Sequence, residues 1–582
     1  MSLYRAAASM LSALALVACA ATGAPPPQTG DARAAAPAPA PARKEIFVVA
    51  ANPLAVEAGL AVLRRGGSAV DAAVAVQAML SLVEPQSSGM GGGAFMTFLD
   101  GRTGKVAVYD GRETAPAGAT ENLFMDDNGR PLPFPVAVLS GLSTGMPGAV
   151  KMLGMAHGEH GKLPWSSLFG DAERTAREGF VISPRLGRFL AIGSFPQLRA
   201  PDVRAYFGDG QGGLKKTGDR LVNTPYAEFL QRLAAQGPDA LYTGATAQRI
   251  IDKLHDDARP SSMTLADLAG YAPVKREALC NPWHAYTVCV PPPPSSGVAL
   301  LQLLAMLEHT DIAARGPDDP QAWFLFAQAS RIMYADRDRY VGDGGFVDVP
   351  VRGLLDPAYV ASRAALIGER AGPPPEAGNP PGAPLAARDG THEAGGTTHF
   401  IIGDADGNVV SMTTTVESIF GSGRMVDGFF LNNQLTDFSF VPRDAQGRPL
   451  ANAVAPGKRP RSSMVPLIML DGAGHFAGAM GSAGGNSILA YVGKSLVAAV
   501  DWGLPTQEAL ALPNLVARGA AFRGEVDKFP PAVIEGLKAR GIDLQPGEGE
   551  DSGVHGVIIR DGRFDGGYDP RREGRAIAEP AP

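Results

Sequence analysis

The stretch Gly395-Gly396-Thr397-Thr398-His399-Phe400-Ile401-Ile402, followed by Asp404-Ala405-Asp406-Gly407-Asn408 and residues 409–416, decides the fold of this chain. Apolar and polar residues alternate on both sides of the Asp/Gly/Asn segment, which predicts two strands joined by a hairpin turn. Residues 371–396 before it contain Pro373-Pro374-Pro375, Pro380-Pro381 and several glycines, without a periodic apolar face. The sequence therefore predicts a linker or processing segment that ends where a strand begins.

The rest of the chain mixes helical and strand patterns. Residues 52–82 predict one helix rich in small apolar residues, and the glycine loop Gly89-Met90-Gly91-Gly92-Gly93 leads from it into strands at 94–99 and 105–109. Such a mixture predicts a sheet with helices on both sides. With 582 residues, the chain has room for one large domain or two moderate ones.

Composition excludes one class of partner. The chain is 45% hydrophobic and 19% charged, with a formal net charge of −7 and a pI near 5.8. No run of Lys and Arg with interleaved aromatic residues occurs, so the sequence predicts no nucleic-acid partner.

The first residues predict export. Arg5 supplies a short positive region, residues 10–17 an apolar stretch too short to span a bilayer, and Leu16-Val17-Ala18-Cys19 resembles a bacterial lipoprotein box. This favours a signal peptide over residues 1–19, lipidation of Cys19 and a periplasmic protein tethered to a membrane. The alternative is an ordinary secretory signal cleaved near residues 20–24. Residues 20–44, rich in Ala and Pro, predict a disordered tether.

Two cysteines remain in the predicted folded body, which begins near residue 45. Cys280 and Cys289 flank a predicted hairpin, and an oxidising periplasm would permit a disulfide between them. Two reduced, buried thiols remain the alternative.

Thr397 is the candidate nucleophile. A threonine hydroxyl needs a base within hydrogen-bond reach, and a free α-amine on the same residue is the most compact base available. Cleavage after Gly396 would create that amine and leave a fragment of 582 − 396 = 186 residues, about 19 kDa of the 60.4 kDa chain. Taken alone, the pair Thr397-Thr398 is more typical of an ordinary strand start.

Separated motifs in the correct order resolve this ambiguity, because together they resemble the γ-glutamyltranspeptidases over most of the chain. The matching stretches are Asp110-Gly111-Arg112-Glu113-Thr114-Ala115-Pro116, Thr397-Thr398-His399-Phe400, Asp406-Gly407-Asn408, Thr415, Glu417, Asn432-Asn433-Gln434-Leu435-Thr436-Asp437-Phe438, Lys458-Arg459-Pro460-Arg461-Ser462-Ser463-Met464 and Gly481-Ser482-Ala483-Gly484-Gly485.

The resemblance implies a four-layer αββα sandwich of the N-terminal nucleophile hydrolase type, an α/β (α+β) fold. Cleavage between Gly396 and Thr397 would give a large subunit (45–396) and a small subunit (397–582) that form one heterodimeric domain. No cofactor and no metal are implied. The substrates would be glutathione and other γ-glutamyl compounds, with water, an amino acid or a peptide as acceptor.

The resemblance also implies a role for each site residue. Thr397 acts as nucleophile and α-amine base, Thr415 supports it, and Gly484 and Gly485 form the oxyanion hole. Because a γ-glutamyl group is a zwitterion, its pocket requires a cation and an anion held apart from each other. The carboxylate ligands would be Arg112 and Ser462, and the ammonium ligands Glu417, Gln434, Asp437 and Ser463.

Other interpretations are open to test. Gly141-Leu142-Ser143-Thr144-Gly145 fits a serine-hydrolase pattern, but Pro147 delays the helix that should follow. His157-Gly158-Glu159-His160 offers two histidines without a third metal ligand, which favours a surface loop. A β-lactam side-chain acylase, which cleaves glutaryl or cephalosporin amides, would share the nucleophile and the cut. A solute-binding lipoprotein would need neither.

Overall fold

A computed structural model describes residues 45–547 and 552–582, in which runs of helices are separated by runs of strands. The helices are α1 (Pro53–Arg64), α2 (Ala69–Val83), α3 (Phe134–Leu139), α4 (Ala149–His160), α5 (Gly170–Glu178), α6 (Pro184–Ala191), α7 (Pro201–Phe207), α8 (Thr224–Gln236), α9 (Gly244–His255), α10 (Leu265–Gly270), α11 (Gly297–Leu307), α12 (Pro320–Tyr340), α13 (Val351–Leu354), α14 (Pro357–Ala364), α15 (Ile488–Leu496), α16 (Thr506–Ala511) and α17 (Pro531–Ala539).

The strands are β1 (Glu45–Ala50), β2 (Gly93–Leu99), β3 (Val106–Gly111), β4 (Phe180–Val181), β5 (Arg220–Leu221), β6 (Val274–Glu277), β7 (Leu279–Trp283), β8 (Tyr286–Val290), β9 (Gly396–Gly403), β10 (Val409–Glu417), β11 (Met425–Val426), β12 (Phe429–Phe430), β13 (Leu467–Leu470), β14 (Phe476–Gly481), β15 (Leu515–Arg518), β16 (Ala521–Gly524), β17 (Gln545–Pro546), β18 (His555–Arg560), β19 (Arg563–Tyr568) and β20 (Arg575–Pro580).

Two antiparallel sheets stack between layers of helices. The first has the order β20-β1-β9-β10-β2-β3-β6, and the second has the order β19-β18-β14-β13-β8-β7. Helices α1, α2 and α4 cover the first sheet, while α11, α15 and α16 cover the second. The four-layer αββα sandwich expected from the sequence is confirmed.

Alternation along β9 explains how one strand serves two cores. Phe400 and Ile402 pack into the core between the first sheet and its helices, whereas Ile401 packs between the two sheets with Val409 and Ile468. Successive strand residues point to opposite faces. Because both faces of this strand are covered, its side chains are buried throughout.

The predicted hairpin forms the middle of the first sheet. Strands β9 and β10 pair in antiparallel register, with Thr397 opposite Thr415, and Asp404 accepts from the backbone N–H of Asp406 and of Asn408 in the turn. Each sheet contains strands from both sides of the bond between Gly396 and Thr397. The two segments therefore share one folded core.

The single helix predicted over residues 52–82 is wrong, because the chain forms α1 and α2 there. Gly66 takes a φ of +80°, which ends the first helix. Ser68 then starts the second with a capping box, accepting from the backbone N–H of Asp71 while the Asp71 carboxylate accepts from the N–H of Ser68.

Some sequence predictions lie outside the described residues, namely the signal peptide with Cys19 and the tether over residues 20–44. Among the residues that are described, no helix combines the length and apolar character needed to span a membrane. Cys280 and Cys289 face each other on β7 and β8 and are joined by a disulfide with an S–S distance of 2.07 Å.

Candidate active site

Thr397 is buried near the start of β9, directly beside Thr415 on β10. The strand runs through the peptide bond between Gly396 and Thr397, so the structure describes the uncleaved chain. A Cβ on Gly396 would lie 2.4 Å from the Ser418 carbonyl oxygen and 2.5 Å from that of Glu417. Only glycine fits at this position.

The hydroxyl of Thr415 links the nucleophile candidate to the carbonyl that precedes it. Thr415 Oγ1 donates to the Gly396 carbonyl oxygen at 2.9 Å and lies 3.0 Å from Thr397 Oγ1. Since a hydroxyl carries a single proton, Thr397 must be the donor in the second bond. The arrangement holds the Thr397 oxygen beside a polarised carbonyl group.

A bulge in β10 completes this arrangement. The register between β9 and β10 shifts between Thr415 and Glu417, and Glu417 has a φ of +80°, which is rare outside glycine. The Glu417 N–H donates to Thr415 Oγ1 at 2.8 Å. The acceptor positions of Thr415 are thereby filled, and its proton is directed to Gly396.

The predicted ligands of the zwitterion contact each other. Arg112 Nη2 lies 2.6 Å from Asp437 Oδ2 and also donates to the Arg461 carbonyl oxygen at 2.7 Å. The expectation that cation and anion are held apart is therefore wrong for the uncleaved chain. Burial and the charge of Glu417 raise the pKa of Asp437, and the contact with Arg112 opposes this rise. Gln434 Nε2 donates to the same Asp437 oxygen at 2.6 Å.

Segment 393–396 fills the space next to Thr397. The Ala394 N–H donates to Glu417 Oε1 at 2.7 Å. Gly485 lies directly against the segment, since a Cβ there would stand 2.2 Å from the Glu393 carbonyl oxygen. Gly484 and Gly485 have φ values of +126° and +52°. The predicted oxyanion-hole position is thus covered by the segment that precedes the predicted cut.

Glu393 is a site residue that the sequence interpretation missed. Ser463 Oγ donates to Glu393 Oε2 at 2.6 Å, Arg337 Nη2 contacts Glu393 Oε1 directly, and Arg461 Nε lies 3.3 Å away. These contacts outweigh desolvation and lower the pKa of Glu393 to about 2. An acidic residue four positions before the cut, in a segment otherwise rich in Gly and Pro, was the available signal.

Most of the predicted site residues line one small cavity. Its lining includes Arg112, Thr397, Thr415, Glu417, Gln434, Asp437, Ser462, Ser463 and Gly485, together with Glu393. Of the predicted catalytic and substrate-binding residues, Gly484 lies outside the lining, next to Gly485. The volume is about 10 Å³, enough for about one water molecule. Two larger cavities, of about 740 and 560 Å³, contain none of the predicted site residues.

The alternative motifs have structural roles. Ser143 Oγ donates to the carbonyl oxygens of Val138 and Ser140. His157 and His160 lie in the last turn of α4, so the surface loop predicted for them is wrong. His160 Nε2 is 2.7 Å from the Tyr109 hydroxyl. No cluster of three metal-ligating side chains occurs within residues 45–547 and 552–582.

This sandwich, with Thr397 as the second residue of an inner strand, has the fold of the N-terminal nucleophile hydrolases, a class of enzymes. The sequence profile described as Gamma-glutamyltranspeptidase matches residues 55–579. The chain is 34% identical to the glutathione hydrolase proenzyme of Escherichia coli (strain K12), covering 97% of each chain. It is also 34% identical to that of Bacillus subtilis (strain 168), covering 92% of this chain and 91% of the relative.

A solved structure extends the comparison. The crystal structure of cephalosporin acylase from Bacillus halodurans superposes with a TM-score of 0.80 at 25% identity, over 93% of this chain and 98% of the other. The chain belongs to the gamma-glutamyltranspeptidase family, as the sequence motifs indicate.

Proposed function

We propose that this chain is a self-cleaving γ-glutamyltransferase and glutathione hydrolase whose nucleophile is Thr397. The observation that carries the proposal is the hydrogen-bond relay from Thr397 through Thr415 to the Gly396 carbonyl oxygen, with distances of 3.0 and 2.9 Å. The products of cleavage would be a large subunit (45–396) and a small subunit (397–582).

In the processing step, Thr397 Oγ1 attacks the Gly396 carbonyl carbon. The C–N bond breaks, the nitrogen of Thr397 takes up the proton that the attacking hydroxyl gives up, and an ester joins Gly396 to the Thr397 side chain. Water then hydrolyses this ester, which gives a Gly396 carboxylate and restores the Thr397 hydroxyl with a free α-amine. Thr415 supports the step because its hydroxyl stabilises the negative charge that develops on the Gly396 oxygen.

In turnover, the new α-amine of Thr397 accepts the proton of its own hydroxyl while the oxygen attacks the γ-carbonyl of the donor. The N–H groups of Gly484 and Gly485 stabilise the oxyanion, the leaving amine takes the proton, and a γ-glutamyl ester remains on Thr397. Water or an amino acid or peptide acceptor then receives the acyl group.

Recognition of the donor depends on segment 393–396 leaving the site. Arg112 Nη1 makes no hydrogen bond with any described residue and lies 3.7 Å from Glu113 Oε2, so this nitrogen can receive the donor's α-carboxylate together with Ser462. Asp437, Glu417 and Gln434 would bind the α-ammonium, with Ser463 as the fourth ligand predicted from the sequence.

The similarity to a cephalosporin acylase supports one second candidate, an acylase that acts on glutaryl-type amides. A glutaryl group lacks the α-ammonium, so it would leave the buried carboxylates of Asp437 and Glu417 without a cationic ligand partner. This argues for the γ-glutamyl donor.

Two measurements test the proposal. N-terminal sequencing of the 19 kDa fragment should begin at Thr397, and any other first residue would refute the mechanism. The processed enzyme should release p-nitroaniline from γ-glutamyl-p-nitroanilide faster than from the glutaryl analogue. The reverse preference would support the acylase, and an active preparation of unbroken chain would refute self-cleavage.

For location, we propose an exported, periplasmic enzyme tethered through a lipid on Cys19. The support is the sequence Leu16-Val17-Ala18-Cys19 after a short apolar stretch. Radiolabelled palmitate should be incorporated into the full chain but not into a Cys19→Ala variant. Equal labelling of both would contradict lipidation at this residue.

A further inference from the structure

The buried carboxylate of Glu393 sits in a cradle made by Arg337, Arg461 and Ser463. Arg337 reaches it from α12, while Arg461 and Ser463 come from the segment before β13. Side chains of both arginines are fully buried, and that of Glu393 is 3% exposed. The cradle is therefore a built carboxylate site in the protein interior.

This site is part of a longer chain of alternating charges. Arg518 pairs with Asp338 at 2.9 Å, Asp338 pairs with Arg337 at 3.2 Å, and Arg337 pairs with Glu393. Beyond Glu393, the chain continues through Arg461 to Asp389, with a distance of 3.0 Å for the last pair. Three arginines balance three carboxylates, so the network is neutral while Glu393 is in place.

Glu393 does not remain in place if the enzyme binds a donor. Glu393 and Ala394 line the same cavity of about 10 Å³ as Thr397, and their backbone lies against Gly485. A γ-glutamyl group does not fit until this segment withdraws. Withdrawal opens the cavity as far as the cradle, because Ser463 already lines it.

Departure of Glu393 leaves the cradle with one uncompensated positive charge. Arg337 keeps Asp338 and Arg461 keeps Asp389, but the carboxylate between the two arginines is gone. Moreover, Nη1 of Arg461 is buried and has no hydrogen-bond partner among residues 45–547 and 552–582 even before cleavage. A buried, unpaired cation is costly, so the emptied cradle favours an incoming anion.

We propose that Arg337, Arg461 and Ser463 form an exchangeable carboxylate subsite, which Glu393 fills before cleavage and the α-carboxylate of the donor fills afterwards. This inference rests on the proposed γ-glutamyl activity. It moves Ser463 from the ammonium ligands to the carboxylate ligands, since its hydroxyl already donates to a carboxylate at 2.6 Å. Arg112 and Ser462 would approach the same group from the other side, because Arg112 donates to the backbone carbonyl of Arg461.

The test uses the processed enzyme and two donors, γ-glutamyl-p-nitroanilide and its α-carboxamide, which lacks the negative charge. Arg461→Met should raise KM for the carboxylate donor about 10-fold to 100-fold, the range for a lost hydrogen bond to a charged group. KM for the carboxamide should change less than about threefold, and Arg461→Lys should recover part of the loss. Equal increases for both donors, or none, would overturn the proposal.

Variants at Glu393 test whether the Glu393 carboxylate occupies the subsite only before cleavage and the donor's α-carboxylate only afterwards. Glu393→Gln should slow the appearance of the 19 kDa fragment, yet leave KM of the fully processed enzyme within about twofold, because this side chain has left. A rise in KM comparable to that of Arg461→Met would mean that Glu393 stays in the mature site, which contradicts exchange. The double variant Glu393→Gln/Arg461→Met keeps the network neutral and should process faster than Arg461→Met alone while keeping its raised KM.

Arg571→Met is the matched control. Arg571 is also a largely buried arginine, and it pairs with Asp569 at 3.0 Å and with Glu525. It is not one of the six residues of the charge network. Its KM ratio between the two donors should equal that of the wild type. If the wild type processes but does not turn over the γ-glutamyl donor, the proposed function fails. If it turns over the donor and Arg461→Met keeps the wild-type KM ratio, only the subsite fails.

Discussion

Replacing Thr415 by valine tests whether the hydroxyl relay drives self-cleavage. The substitution keeps the shape of the side chain and removes one oxygen, which makes three hydrogen bonds, with the Gly396 carbonyl, with Thr397 and with the Glu417 N–H. The bond to the Gly396 oxygen is the one that strengthens as charge develops during attack. Loss of one such donor costs about 3 to 4 kcal/mol, or roughly 10²-fold to 10³-fold in rate.

Thr415→Val also destabilises the folded precursor, an effect separate from the higher barrier to cleavage. The Glu417 N–H is left without its acceptor inside the protein, which destabilises the fold by about 1–3 kcal/mol. Thr415→Ser keeps the hydroxyl and both of these interactions. Its processing rate should therefore stay within about tenfold of the wild type, whereas that of Thr415→Val falls about a hundredfold or more.

Thr414 provides the matched control on the same strand. Its Oγ1 is buried and makes no hydrogen bond with the part of the chain that the structure describes, so Thr414→Val removes a hydroxyl without removing a hydrogen bond. The assay follows the 19 kDa fragment by intact mass in precursor purified at low temperature and then warmed. Processing of Thr415→Val at the wild-type rate, or equal slowing of Thr414→Val, would refute the relay.

Three further substitutions give separate tests. Arg112→Gln should leave the processing rate within about twofold, because the hydrogen bonds of this guanidinium go to Pro460, Asp437 and Arg461 and not to the residues of the relay. It should raise KM for the donor about 10-fold to 100-fold, the range for a lost hydrogen bond to a charged group; loss of processing would contradict this. Burial raises the pKa of Glu113 to about 7, above its ordinary 4.5. The folded state then binds more protons than the unfolded state between these pH values, so wild-type stability falls as pH rises through this window. Glu113→Gln in an uncleavable Thr397→Ala chain should stabilise by up to about 3 kcal/mol at pH 8 and little at pH 4, by urea denaturation. Burial lowers the pKa of Lys494 from 10.5 to about 7, which gives the opposite slope. Wild-type stability rises from pH 7 towards 10.5, so any stabilisation by Lys494→Met should be largest near pH 6 and shrink at pH 10; a pH-independent difference in either case would refute the ionisation argument.

Local chemistry made the central hairpin predictable. The turn residues 404–408 and the alternation on either side specify two paired strands, and a four-layer fold followed from the family motifs. Local residues also mark the break between α1 and α2, namely Gly66 and the Ser68–Asp71 capping box. The apolar periodicity continued across this break and concealed it.

Long-range contacts within the site were not predictable in the same way. Glu393 meets Arg337, which is 56 residues away, and Ser463, which is 70 residues away. Arg112 meets Asp437 over a separation of 325 residues. Motifs indicated which residues gather around Thr397, but not which partner each one has. The uncleaved segment supplies partners to Glu417 and Ser463, whereas Arg112 and Asp437 pair with each other. The sequence alone predicted the site in its donor-binding arrangement, in which the cation and the anion lie apart.

The contact between Arg112 and Asp437 also bears on which donors the mature enzyme accepts. Neither residue belongs to segment 393–396, so withdrawal of that segment after cleavage would free Glu417 and Ser463 and would leave this pair in contact. A zwitterionic donor leaves no charge unmatched, because its carboxylate would bind Arg112 while its ammonium would bind Asp437. A donor with a carboxylate alone would satisfy the arginine and leave Asp437 buried without a cation, which costs several kcal/mol. The paired side chains of Arg112 and Asp437 would therefore select for an α-amino acid.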